Sequence, residues 1–229
     1  MAATGVRAEL GRATRGVAAA RFRFAVADLG RMVDAGILHE DDRVELVDGQ
    51  VVAMAPIGEA HAAAVDQVAS ALFEVARGRA TVRVQGPLAI AADTQLQPDV
   101  AVIATGRIVP GSVRGASAIH LVVEVADSSL AYDRSVKLAA YARAGIAEAW
   151  IVNLVGVPPG APAGRRRRGG DASPLLEVYR DPDPAAGAYR SVATFGVREA
   201  SGGATVVPVA FPDHAMAVAS LLPGSGDGS

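Results

Sequence analysis

Ile119-His-Leu-Val-Val-Glu-Val125 is a continuous apolar run broken near its end by one carboxylate, and Val100-Ala-Val-Ile103 is a shorter run opened by Pro98-Asp99. Unbroken rather than alternating apolar runs of this length predict central strands covered on both faces. Working outward, Asp133 can cap a helix over 134–144 that stops at Gly145, and Ala149-Trp-Ile-Val152 then reads as a last core strand.

Toward the N-terminus, Val65, Val68, Leu72 and Val75 recur at helical spacing, so residues 60–77 predict a helix with one buried stripe, which His61 extends. Residues 81–91 read as one strand. Asp48-Gly49 between Arg43–Val47 and Gln50–Met54 is a hairpin signal, because a type I′ turn needs positive φ. Val26, Leu29, Met32 and Val33 put a helix over 25–36, ended by Gly36. Strands alternating with helices give an α/β fold: a mixed central sheet flanked by helices, with an N-terminal helix plus hairpin. Leu175–Tyr179 and Tyr189–Ala193, around Asp181-Pro-Asp-Pro184, add a C-terminal β extension.

The 229 residues are expected to form a flexible tail over 1–20, a single domain over 21–200, and a C-terminal segment and tail over 201–229. Within the domain, 155–174 is a Gly, Pro and Arg-rich loop. Its Arg165–Arg168 run reads as solvated charge, with a nucleic-acid tether as the alternative. Apolar residues make up 51% of the chain but aromatics only 4%, so Val, Ala and Leu must fill the core.

Content also excludes chemistries. There is no cysteine, hence no disulfide or thiolate metal site, and the four histidines lack zinc-ligand spacing. Nucleotide-binding glycine loops and a Gly-x-Ser-x-Gly elbow are missing. A net charge of −2 supplies no global pull on nucleic acid, so any such binding needs a local basic surface. No run is long enough to span a membrane and no secretory signal is evident, so the expected location is cytoplasmic.

The remaining chemistry lies in Asp99, Glu124 and Lys137. Two acids at the ends of neighbouring strands suit a hard divalent cation such as Mg²⁺, and the Val125 carbonyl could share it. Such an ion neutralises a phosphodiester and generates hydroxide near pH 7. The plainer alternative is two solvated acids, which the apolar surroundings of Glu124 oppose. Lys137 is expected in the first turn of its helix, holding the attacking water or the scissile phosphate, or else a structural ion pair with Glu124 or Asp133. Glu45 is either a further acid at the ion or the solvated face of an edge hairpin. His61 reads as a satisfied core histidine, with a phosphate contact as the alternative, and Tyr141 as packing.

Taken together, Glu45-Leu-Val-Asp-Gly49, Met54, His61, Pro98-Asp99-Val100, Val123-Glu124-Val125, Ser128-Ser129, Asp133, Lys137, Tyr141, Gly145 and Glu148-Ala-Trp-Ile-Val152 resemble, in order and spacing, the Uma-two family. These bacterial proteins are described as restriction endonucleases with a PD-(D/E)xK nuclease-like fold. The resemblance covers about residues 20–180. It implies a four-stranded mixed sheet flanked by helices, Mg²⁺ dependence and a homodimer, and the leading expectation is a nuclease using Mg²⁺ (or Mn²⁺) on DNA. It implies Asp99 and Glu124 as metal ligands, Glu45 as an auxiliary acid and Lys137 as the catalytic lysine. The usual nuclease signature places lysine two residues after the glutamate, where this chain has Ala126, so Lys137 must serve from the following helix. The alternative is a nuclease-fold module without chemistry, acting as a binding or regulatory partner.

Overall fold

Six strands form the central sheet, and their order is set by one helical crossover. A computed structural model describes residues 21–39, 41–106, 112–160 and 173–224. The expected tail over 1–20, the Arg165–Arg168 run and the last five residues lie outside the described residues.

Helix α1 (Val26–Asp34) leads into a hairpin of β1 (Val44–Val47) and β2 (Gln50–Ala53). Asp48 and Gly49 both take positive φ, 47° and 75°, as the type I′ reading requires. Helix α2 (Glu59–Ala76) follows, then β3 (Ala80–Val84), β4 (Leu88–Ala91), β5 (Thr94–Leu96), β6 (Val100–Ala104) and β7 (Ile119–Ala126). A helical segment comes next, built of α3 (Leu130–Tyr132), a π-helical stretch (Asp133–Lys137) and α4 (Leu138–Arg143). The chain ends in β8 (Glu148–Asn153), β9 (Leu175–Asp183), β10 (Ala188–Gly196), α5 (Val197–Ser201) and a small pair, β11 (Thr205–Val206) and β12 (Met216–Ala217).

The large sheet runs β10-β9-β8-β7-β6-β3, and only β7 and β8 are parallel. Parallel neighbours need a crossover, here supplied by α3 and α4. That crossover lays Leu138, Ala140 and Tyr141 against Val122, Ala149 and Ile151 on one face. On the other face, Val65, Val68, Leu72 and Val75 of α2 pack with Val100, Val102, Leu121, Val123 and Val125. Each such side chain removed from water contributes roughly 2 kcal/mol. Residues 206–222 add Val206, Phe211, Met216, Leu221 and Leu222 to this cluster. A second sheet, β2-β1-β5-β4, closes over the first face through Val47, Leu88, Ile90 and Leu96.

Three expectations are corrected. Residues 81–91 form two strands in different sheets, because Gln85 turns at φ 48° and Gly86-Pro87 cannot continue the ladder. The sheet holds six strands rather than four, and Ala149–Val152 is an interior strand: β9 pairs with it and buries Leu176 and Val178. Asp133 is not a cap. The helix begins at Leu130, Ser129 precedes it, and Asp133 lies inside with its side chain buried.

Candidate active site

Four carboxylates and one ammonium meet in a cleft between the two sheets and the crossover helix. β6 and β7 are neighbours with Val100 opposite Val123, so Asp99 and Glu124 come to the same end of the sheet. β1, in the second sheet, lowers Glu45 onto them from above. Asp133, Lys137 and Tyr141 recur every four residues and form one buried stripe on the helix. The π-helical stretch, closed by Leu138 N–H donating to the Asp133 carbonyl, widens the turn carrying two of them. Such insertions occur often at functional sites.

Lys137 Nζ lies 3.0 Å from Glu124 Oε2, 3.1 Å from Glu45 Oε1 and 3.8 Å from Asp133 Oδ1. Glu45, Asp99, Glu124, Asp133, Lys137 and His61 all line one cleft, together with Val52, Met54, Ala55, Pro56 and Ile57. Lys137 therefore sits deep in a helical run rather than in a first turn, and three carboxylates, not a helix dipole, set its electrostatics. They hold its pKa above the lysine range despite burial.

Each acid is fixed by donors. Asp99 Oδ2 accepts from the Val125 amide at 2.8 Å and faces His61 Nε2 at 3.2 Å, while Oδ1 accepts from Gln85 Nε2 at 3.2 Å. Burial alone would raise its pKa, but these partners, His61 first, hold it low. Glu124 accepts from Lys137 and from the Tyr141 hydroxyl. Glu45 accepts from the Gln97 amide at 2.8 Å and from the Tyr132 hydroxyl at 3.2 Å. Burial, opposed by Lys137 but aided by Asp133 and Asp99, pushes Glu124 up to about 8, and Asp133 is pushed up to about 6. One ammonium cannot balance this many carboxylates, so the group retains a proton near neutral pH.

Asp99, Glu124, Lys137 and Glu45 are thus brought together, and Glu45 is buried rather than solvated. His61 is held by Asp99 through one nitrogen, while its buried Nδ1 has no protein partner among the described residues. Val125 enters through its amide. The sequence reading missed the buried Asp133, the Tyr132 contact and the Gln85 and Gln97 clamps, and it gave Tyr141 only packing. Four-residue recurrence of Asp133, Lys137 and Tyr141 was the available signal.

A divalent cation fits this donor set in one form only. Among the described residues no three His, Asp or Glu side chains are arranged as a closed ligand cage. Mg²⁺, however, is commonly held by one or two carboxylates with several waters retained. Excess negative charge beside an open cleft suits that mode.

The family model described as "Putative restriction endonuclease", Uma2, matches residues 27–219. The chain belongs to the Uma2 family. Glu45, His61, Asp99, Glu124, Asp133 and Lys137 all fall inside the matched span. No curated protein gives a significant match. Among solved structures, the chain is similar to a "putative nuclease belonging to DUF820" from Anabaena variabilis, with 13% identity and a TM-score of 0.58, covering 86% of this chain and 97% of that one. At such identity the likeness concerns the fold, which is a mixed central sheet flanked by helices. No helix among the described residues is long and apolar enough to cross a membrane.

Proposed function

We propose that this Uma2 protein is a divalent-metal-dependent endonuclease that hydrolyses phosphodiester bonds of DNA. Asp99 and Glu124, with the Val125 carbonyl, would hold Mg²⁺ or Mn²⁺. When bound, the ion would lower the pKa of a coordinated water and offset charge on the phosphate. The observation that carries this reading is Lys137 Nζ set 3.0 Å from Glu124 in the cleft that Asp99 also lines. Lys137 orients the attacking water or a phosphate oxygen through its ammonium protons. Glu45, 3.1 Å away, aims that ammonium and adds negative charge. His61 is held by Asp99 through Nε2 and its other ring nitrogen is buried, so its part is to position Asp99 rather than to touch the phosphate. The test is cleavage of plasmid and single-stranded DNA with Mg²⁺ or Mn²⁺, comparing wild type with Asp99→Ala. Loss of cleavage in the variant is expected, and equal activity would refute the assignment.

A second reading, a nuclease-fold module without chemistry, draws on one observation: every oxygen of Asp99 and Glu124 already has a protein partner. Calorimetry separates the two. Absence of Mg²⁺ and Mn²⁺ binding near millimolar concentration favours the module.

A further inference from the structure

Among the described residues, two arginines near Asp99 have no acid to answer them. Arg83 of β3 pairs with Ala101 of β6, which in turn pairs with Val122 of β7. Paired residues share a face, and Ala101 and Val122 belong to the face that carries Glu124. Arg83 therefore projects on the side of the acids. It lies one strand and one two-residue step from Asp99, about 8 Å between backbones.

The guanidinium folds over the Gln85-Gly86-Pro87 turn. A Cβ at Gly86 would stand 2.7 Å from Arg83 Nη2, so the group lies directly against the turn. The same turn clamps Asp99: Gln85 N–H donates to the Asp99 carbonyl at 2.9 Å and Gln85 Nε2 to Oδ1. Arg114 is fixed alongside by its amide, which donates to the Ala89 carbonyl at 2.9 Å, three residues past Gly86.

Both arginines are half-buried, and among the described residues neither guanidinium has a hydrogen-bond or ion-pair partner. Partial burial and the neighbouring Arg114 charge each lower the Arg83 pKa, and no carboxylate opposes them. By contrast Arg134, Arg143, Arg180 and Arg190 all pair with carboxylates. Two forked donors held together without an anion lack the oxyanion that guanidinium geometry matches.

We propose that Arg83 and Arg114 form a phosphate subsite that grips the nucleic-acid strand at a phosphodiester flanking the one placed in the Asp99–Glu124–Lys137 cleft. This rests on the nuclease reading and adds to it a contact that positions the strand. Neither arginine touches the reacting atoms.

The test is binding of a labelled 20-nucleotide DNA, single-stranded and duplex, to the full chain in EDTA, so that no cleavage intervenes. Arg83→Gln and Arg114→Gln are each expected to weaken binding about tenfold. Each should also flatten the log–log salt slope by about 0.7 for the single strand or 0.9 for the duplex. Arg83→Lys should keep the slope yet lose affinity, because the charge stays and the fork goes. Inorganic phosphate measures the other source of the same chemistry. Saturation of the pair by millimolar free phosphate, with no effect of the variants on DNA, would overturn the strand assignment. Unchanged affinity and slope in the double variant, with wild-type binding intact, overturns the subsite and leaves the nuclease reading standing. Wild-type protein that neither binds nor cuts DNA or RNA overturns both.

Discussion

The Lys137 ammonium lies 3.1 Å from the Glu45 carboxylate, tying the crossover helix of the large sheet to the hairpin of the small one. Both groups are almost withdrawn from solvent: Lys137 is 5% exposed and Glu45 1%. The pair joins two elements distant in sequence, so the cleft exists only when both sheets are assembled. A buried charge stripped of its partner is strongly destabilising, whereas replacing the whole group is much less so.

Lys137→Met therefore leaves Glu45, Glu124 and Asp133 without their common counter-ion. It should lower unfolding free energy by about 3–5 kcal/mol and abolish cleavage. Glu45→Gln keeps an acceptor for the Gln97 amide and removes one of the competing negative charges, so it should leave stability within about 1 kcal/mol of wild type while reducing cleavage. Urea denaturation and a plasmid assay on both variants check this. A stable Lys137→Met protein would show that the ammonium is not the keystone of the cluster.

Stability should also fall as pH rises. Glu124 and Asp133 are carboxyls whose folded values, about 8 and about 6, lie above their ordinary ones of 4.5 and 3.8. Between the unfolded and folded values the native chain holds protons that the unfolded chain has released, so unfolding free energy declines with pH. The contribution is complete below about pH 4 and is lost through pH 8. The metal-free melting temperature, followed from pH 5 to pH 8, should drop, and Glu124→Gln should flatten the profile. A melting temperature rising across that window would contradict the assignment.

The same retained proton gives a signature for metal. A divalent cation competes with it for the carboxylates, so binding at pH 7 should release about one proton. Calorimetry in two buffers of different ionisation enthalpy reads this directly. Glu124→Gln should abolish the buffer dependence.

Where the sequence was legible, the signal was local and repetitive. The continuous runs ending at Ile103 and Val125, the Asp48-Gly49 turn and the α2 stripe each state their own periodicity, and β6, β7, β1–β2 and α2 follow them. The convergence of Asp99, Glu124 and Lys137 on one cleft was readable because a charge buried beside a strand is expensive unless partnered. Asp133 was misread because an Asp before an apolar run looks like a cap, while Ser129 four residues earlier sets the boundary and accepts the Asp133 N–H through its carbonyl at 3.0 Å. The split of 81–91 was signalled by Gly86-Pro87, but alternation on either side concealed it. The Tyr132 contact to Glu45 depends on how the two sheets stack, and that of Gln85 to Asp99 on β3 pairing with β6; no local pattern carries either.

Glu177 offers the last prediction. It is fully buried on β9, where Arg134 forks onto it, Asn153 Nδ2 donates at 2.7 Å and the Tyr179 hydroxyl at 2.6 Å. Arg134 and Asn153 also donate to the Val157 carbonyl. Arg134 stands three residues before Lys137 in the π-helical stretch, so this network anchors that stretch to β9. Arg134→Met strands the Glu177 carboxylate and should cost about 3–5 kcal/mol. Arg134→Met combined with Glu177→Leu removes both charges and should recover most of that loss, since well-packed apolar replacements of a buried pair are often neutral. If the network also aims Lys137, the recovered double variant should still cut DNA more slowly than wild type with unchanged affinity for the DNA. Full activity in the double variant would confine the pair to stability, and a double variant no more stable than Arg134→Met would show that the surrounding hydrogen bonds, not the ion pair, hold the helix.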